Sequence, residues 1–180
     1  YDNVHIEQDG IFAWSAITSN KAVVNVEISI QNQSVTASAC TVTAYLTDRD
    51  GKIIAKSKDQ PLSVAVNKSA IAINSISLVN FRPWTLHDPY LYRVVIEVKS
   101  NNKVIDRQQV RYGLRTIEVK PHGVFLNGQH LKLLGVNCHQ DHAGVGSALP
   151  DYLQYYRIRL LKNMGVNAYR TSHNAPTPEL

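Results

Sequence analysis

The sequence predicts a mainly β chain, an antiparallel two-sheet β-sandwich followed by one strand–helix–strand unit. Three observations carry this. Residues 1–112 hold an apolar period of two broken by turn signals, and helical spacing is absent from that half. After Tyr112 the alternation gives way to a near-continuous apolar run. Leu153, Tyr156, Leu160 and Met164 then recur at helical spacing between that run and a second one.

The first half supplies seven or eight short strands. Residues 4–14 open in strand-like sequence. Val24, Val26, Ile28 and Ile30 alternate with Asn25, Glu27 and Ser29, and Cys40, Val42, Ala44 and Leu46 alternate with Thr41, Thr43, Tyr45 and Thr47. Asp50-Gly51 is a tight-turn pair leading into residues 52–55. Ile71 and Ile73 share one parity while Ile76 and Leu78 have the other, which predicts a bulge near Asn74-Ser75. Tyr92, Val94, Ile96 and Val98 form the next strand, and Asn101-Asn102 turns the chain into residues 104–110. The sandwich is expected to contain no helix longer than two turns.

In the second half, Asn127-Gly128 between Val124-Phe125-Leu126 and His130-Leu131 is a hairpin signal. Residues 131–137 (LKLLGVN) read as a strand covered on both faces. A His-rich loop, residues 138–142, follows. Pro150 stands near a helix start and Gly165 just past a helix end. Residues 166–170 form a second strand ending in Thr171-Ser172-His173. Short connections make this a βαβ unit with a parallel strand pair.

Bulk properties narrow the function classes. With 44% hydrophobic and 18% charged residues the chain is too apolar for disorder, and it has no apolar run of membrane-spanning length. The net charge of +5 comes from Lys and Arg scattered singly. A nucleic-acid partner is therefore not expected, nor is a membrane. Cys40 and Cys138 have no metal or redox spacing, and Cys40 reads as a buried free thiol. Asn32-Gln33-Ser34 and Asn67-Lys68-Ser69 match the glycosylation sequon. Residue 1 is not Met and opens directly into strand-like sequence, so a longer natural protein is expected.

Chemistry-bearing residues gather where the two parallel strands end. His139, Asp141 and His142 follow the first strand, and Arg170 and His173 belong to the end of the second. Loops after parallel strands emerge on one side, so these groups can converge on one pocket, where imidazoles and a guanidinium offer fixed donors and positive potential. Position alone leaves alternatives. A loop histidine also reads as a solvated residue, Arg170 as a rim ion pair, and His139-x-Asp141-His142 as metal ligands lacking a fourth group. Trp84 and Tyr90 offer aromatic faces, but Pro83 and Pro89 mark an irregular crossing where such residues pin a loop.

Three segments resemble glycoside hydrolase family 2. Residues 83–92 (PWTLHDPYLY) are similar to its Trp-Ser-Pro-x-x-Pro-x-Leu-Tyr segment, and residues 112–117 (YGLRTI) to its Phe-Gly-Phe-Arg junction. The third resemblance runs from Leu126-Asn127-Gly128 through residues 134–139 (LGVNCH) to residues 167–174 (NAYRTSHN). The resemblance implies an immunoglobulin-like β-sandwich over 1–115 and an incomplete (β/α)8 barrel over 116–180, of the β-galactosidase type. It implies double displacement by two glutamates from later barrel strands. No cofactor and no metal are expected. His139 and His173 match histidines lining the sugar subsite, Arg170 matches an arginine supporting the catalytic carboxylates, and Asn137 stands beside them. The chain departs at residues 138–142 (CHQDH), where the best-studied members have Arg-His-Glu-His-His. Its His173-Asn174-Ala175-Pro176 replaces His-Tyr-Pro and resembles a β-galactosidase branch of carbohydrate-degrading bacteria.

The implied partner is a β-galactoside. Alternatives are a β-glucuronidase or β-mannosidase of the same family, or a carbohydrate-binding or adhesive sandwich without chemistry. The carboxylates near the expected site are Asp141 and Glu179, so this chain alone is expected to be inactive. Its open strand edges and bare apolar residues lead to an expectation of self-association.

Overall fold

The computed structural model describes residues 2–177 and 180, and Glu179 lies outside them. The chain divides into two compact units, Tyr1–Thr116 and Ile117–Leu180.

The first unit contains β1 (Val4–Thr18), β2 (Lys21–Asn32), β3 (Ser38–Thr47), β4 (Ile53–Lys56), β5 (Gln60–Val64), β6 (Lys68–Val79), β7 (Tyr92–Ser100) and β8 (Lys103–Tyr112). Among its described residues there is no helix. One antiparallel sheet has the order β1-β2-β6; the other runs β4-β3-β7-β8, with β5 also pairing with β3. Alternation places Val24, Val26, Ile28 and Ile30 of one sheet and Val42, Ala44, Leu46, Val94, Ile96 and Val98 of the other in the core, all fully buried. Each fully buried large aliphatic side chain contributes about 1.5–3 kcal/mol of transfer free energy, which makes this interior the main stabilising element.

The bulge expected near Asn74-Ser75 is absent. β6 pairs with β2 in unbroken register from Lys21↔Val79 to Asn32↔Lys68. Ile71 and Ile73 point outward at 57% and 55% exposure, and Asn74 points inward. A polar residue takes an interior position here because β3's edge partner is interrupted between β4 and β5. Ser57 fills the gap: its N–H donates to the Ala44 carbonyl (2.8 Å), and its Oγ accepts from the Ala44 N–H (3.0 Å). Asn74 Nδ2 donates to Ser57 Oγ (2.9 Å), the Lys58 carbonyl (3.1 Å) and the Val42 carbonyl (3.2 Å). A register shift does occur in β1, between Ile6 and Ile11, where Asp9 has a φ of 57°.

Asn32, the first sequon asparagine, is fully buried, and its Nδ2 donates to the Thr36 and Val64 carbonyls (2.9 and 3.0 Å). Its amide nitrogen is thus unavailable to a glycan. Tyr90 is buried with the Arg49 and Arg82 guanidinium carbons 4.8 and 4.6 Å from its ring centre. Trp84 lies under the Arg115 guanidinium (5.0 Å) and packs so closely on Gly113 that a Cβ there would sit 2.9 Å from Trp84 Cδ1. Both aromatics therefore fasten the Pro-rich crossing to the sandwich. Both cysteines are free, and burial raises the pKa of the Cys40 thiol.

The second unit opens with β9 (Ile117–Lys120), β10 (Gly123–Leu126) and β11 (Gln129–Leu131), an antiparallel sheet of order β11-β10-β9. Asn127 and Gly128 both have positive φ (51° and 76°), as a type I′ hairpin requires. β12 (Gly135–His139), α1 (Asp151–Asn163) and β13 (Ala168–Ser172) then form the βαβ unit, with β12 and β13 parallel. This is an immunoglobulin-like sandwich followed by the start of a (β/α)8 barrel.

Both parallel strands begin later than the apolar runs suggest. Leu131 ends β11, and Leu133 and Leu134 are half exposed. The segment before β12 is held by Asn167 through both backbone and side chain: its N–H donates to the Leu134 carbonyl (2.9 Å). Asn167 Oδ1 accepts from the Leu134 N–H (2.8 Å), and its Nδ2 donates to the Lys132 carbonyl (2.9 Å). α1 ends in a Schellman arrangement: the Gly165 N–H (φ +89°) donates to the Lys162 carbonyl and the Val166 N–H to the Leu161 carbonyl, both 3.0 Å.

The helix also turns a different face inward from the one its apolar spacing predicts. Tyr156, Leu160 and Met164 are 45%, 45% and 76% exposed. Its least exposed positions are Leu153, Gln154, Arg157, Ile158 and Leu161, of which Gln154 is buried.

Candidate active site

β12 and β13 run side by side in the register Asn137↔Arg170 and His139↔Ser172. Opposed residues of a parallel pair share a face and successive residues alternate, so Asn137, His139 and Arg170 project to one side. That side is exposed at Gly135, Asn137, His139 and Arg170, whereas Val136, Cys138, Tyr169 and Thr171 on the other are half-buried. On the first side Ala168 is half-buried and Ser172 buried, so that face is open along β12 and at Arg170.

At the C-terminal ends of the strands the two histidines come together. The ring centres of His139 and His173 lie 5.4 Å apart at an interplanar angle of 81°, an edge-to-face contact. The peptide between Ser172 and His173 is cis. Arg170 Nη1 donates to Ser172 Oγ (3.3 Å), and Ser172 is buried. Asn174 is exposed after His173, and among the described residues no hydrogen bond joins its side chain to the other four. Asn137 and Arg170 thus stand opposite each other at the middle of the two strands, His139 closes β12, and His173 and Asn174 follow β13.

The loop after β12 folds back on itself. The His142 N–H donates to the Gly146 carbonyl (3.0 Å) and the Gly146 N–H to the His142 carbonyl (2.9 Å). Gly144 and Gly146 supply the positive φ angles this needs, 88° and 58°. His142 Nδ1 lies 2.9 Å from the Ala143 carbonyl. His139, Asp141 and His142 do not form a ligand set: among the described residues no group of three or more His, Cys, Asp or Glu is placed to hold a metal ion. Among those residues, too, no helix is long and apolar enough to cross a membrane.

Three residues outside the expected set hold the two loops. Arg157 of α1 donates from Nη1 to the His139 carbonyl (2.6 Å) and from Nη2 to the Asp141 carbonyl. Gln154, one turn earlier, donates from Nε2 to Thr177 Oγ1 (3.0 Å), and Gln140 Nε2 donates to the Ala175 carbonyl (2.9 Å). An available sequence signal was the pair of long polar side chains three positions apart in α1, on the stripe that includes Leu161.

Comparison with known proteins decides the family. The model of the glycosyl hydrolases family 2 matches residues 4–115, and that of the same family's TIM barrel domain matches residues 117–180. The chain belongs to glycosyl hydrolases family 2. Within family 2 it is 30% identical to a β-galactosidase of Bacteroides ovatus, over 100% of this chain and 22% of that protein. It is also 30% identical to a β-glucuronidase of Formosa agariphila, over 99% of this chain and 18% of that one. A family 2 member from Bacteroides cellulosilyticus superposes with a TM-score of 0.93 at 29% identity, covering 99% of this chain and 25% of that structure. The chain therefore spans about a fifth of the length of the curated relatives it matches.

Proposed function

We propose that the complete protein is a retaining β-glycosidase that removes terminal β-galactosyl residues by double displacement, and that this chain supplies its sandwich and the first edge of its sugar site. The observation that carries the reading is the His139–His173 contact at the ends of two adjacent parallel strands, with Arg170 and Asn137 on the same strand pair. Barrel enzymes place their chemistry at those strand ends. His139 and His173 would donate to sugar hydroxyls, holding the ring in the orientation the reaction needs. Arg170 would keep nearby carboxylates ionised. The nucleophile and the acid/base, two glutamates ~5–5.5 Å apart in a retaining enzyme, are expected from later barrel strands. The domain division at residues 115 and 116 belongs to the same reading, and the chain alone should be inactive.

A β-glucuronidase is the second reading, favoured by the relatives of that name. Comparing kcat/KM on nitrophenyl β-galactoside and β-glucuronide separates the two. Following the anomer formed by proton NMR tests the mechanism: the β-anomer must appear first, and initial release of the α-anomer would rule out double displacement. Absence of turnover on every nitrophenyl glycoside would favour a binding module. In the isolated chain we further propose self-association through the uncovered apolar residues of α1, among them Leu160 and Met164. Light scattering at micromolar concentration should show a mass above 20.1 kDa, and a clean monomer would refute it.

A further inference from the structure

The inward face of α1 presents an unusual choice of residues. A helix in a βαβ unit ordinarily buries aliphatic side chains, yet the buried residue of this one is Gln154, and its neighbour one turn on is the half-buried Arg157. Both direct their donors to the loops that follow the parallel strands. The Arg157 guanidinium spans two carbonyls of the first loop, those of His139 and Asp141. Gln154 reaches Thr177 in the second loop, and Gln140 ties the first loop to the second at Ala175. A planar fork with fixed donor directions orients two peptide groups at once, whereas a lysine's ammonium carries its donors on one freely rotating atom.

The His139 carbonyl and the His139 imidazole branch from the same Cα. Holding the peptide therefore restrains the Cα–Cβ direction from which the ring is aimed at His173, 5.4 Å away. Productive sites hold such groups to within about 0.5 Å.

We propose that Arg157 is a positioning residue of the glycosidase site: acting through the backbone of His139 and Asp141, it sets the His139–His173 pair, with Gln154 and Gln140 securing the second loop. This rests on the proposed function above.

The experiment uses the complete protein and the nitrophenyl glycoside it cleaves fastest, comparing Arg157→Lys, Arg157→Met, His139→Ala and the His139→Ala/Arg157→Met double variant. A misplacement of about 1 Å can cost ~10²-fold, so Arg157→Met should lower kcat/KM by ~10- to 100-fold and Arg157→Lys by nearly as much. The His139→Ala loss should be similar, and adding Arg157→Met to it should change kcat/KM by no more than about twofold, because the two act on one element. A merely structural arginine would give additive losses. Arg157→Lys is the variant that keeps the charge and the stem should Arg157→Met fail to fold. Wild-type kinetics in Arg157→Lys, or additivity in the double variant, would overturn the proposal while a large His139→Ala loss left the site reading intact. Unchanged kinetics in His139→Ala would overturn the site reading and the proposal together.

Discussion

The two units use the same local devices and bury opposite kinds of residue. In the sandwich, alternating strands from two sheets close around fully buried Val, Ile and Leu side chains, and every buried hydrophobic residue among the described residues lies at or before Leu114. From Ile117 onward the buried residues among those described are Gln154 and Ser172, both polar, while Ile117, Leu133, Leu134, Tyr152, Leu160 and Met164 are exposed. Two facing sheets can exclude water from each other, but one parallel strand pair with one helix cannot. What fixes the second unit here is directional hydrogen bonding from Asn167, Arg157, Gln154 and Gln140.

The largest expected effect tests the first half of that contrast. Ile28→Ala should destabilise the sandwich by about 2–5 kcal/mol through lost transfer energy and a cavity. Met164→Ala, at a residue 76% exposed, should move it by no more than about 0.5 kcal/mol. Urea unfolding measures both, and equal effects would mean that the second unit contributes a core of its own.

Activity should report only the second unit. His173→Ala in the complete protein is expected to lower kcat/KM by ~10²-fold, as for loss of a transition-state contact, with the unfolding midpoint of the sandwich unchanged. Parallel loss of stability would erase the distinction between the units.

Within the sandwich, Asn74→Ala removes the donor that joins Ser57 to two carbonyls and should cost about 1–3 kcal/mol. Asn74→Leu tests whether the polar plug is needed at all. If that variant is as stable as the wild type, the plug carries no net stabilisation.

The smallest effect is a pH dependence. Glu7 has its pKa lowered, mainly by hydrogen bonds from Ser29 and then Ser69, against partial desolvation. A carboxylate whose folded pKa lies below its unfolded value stabilises the native state above the unfolded value and loses that contribution as pH falls through the folded one. Stability should therefore decline as pH falls below about 4.5, the ordinary glutamate value. Glu7→Gln should flatten that part of the profile, and an unchanged profile would mean that other carboxylates carry it.

Seven of the sandwich strands, the Asn127-Gly128 hairpin and the helix end at Gly165 were legible in the sequence, and β5 was not. Each depends on a local rule: period-two alternation, the φ values two hairpin residues must adopt, and the need for a residue in the left-handed region after a helix. Strand–helix–strand spacing also brought His139 and His173 to the same end of a parallel pair, whereas Arg170, expected after the second strand, stands at the middle of β13 opposite Asn137. No local pattern foretells that Asn74 points inward beside Ile76, that β12 and β13 start at Gly135 and Ala168, or that α1 turns Gln154 and Arg157 toward the loops. In each case a polar side chain takes an interior or strand-flanking position to pair backbone groups that the ladders leave unmet: Val42 and Lys58 for Asn74, Lys132 and Leu134 for Asn167, His139 and Asp141 for Arg157. Hydrophobic periodicity records where apolar atoms leave water. An unpaired carbonyl distant in sequence leaves no mark on that pattern, so its partner becomes visible only once the chain has brought the two together.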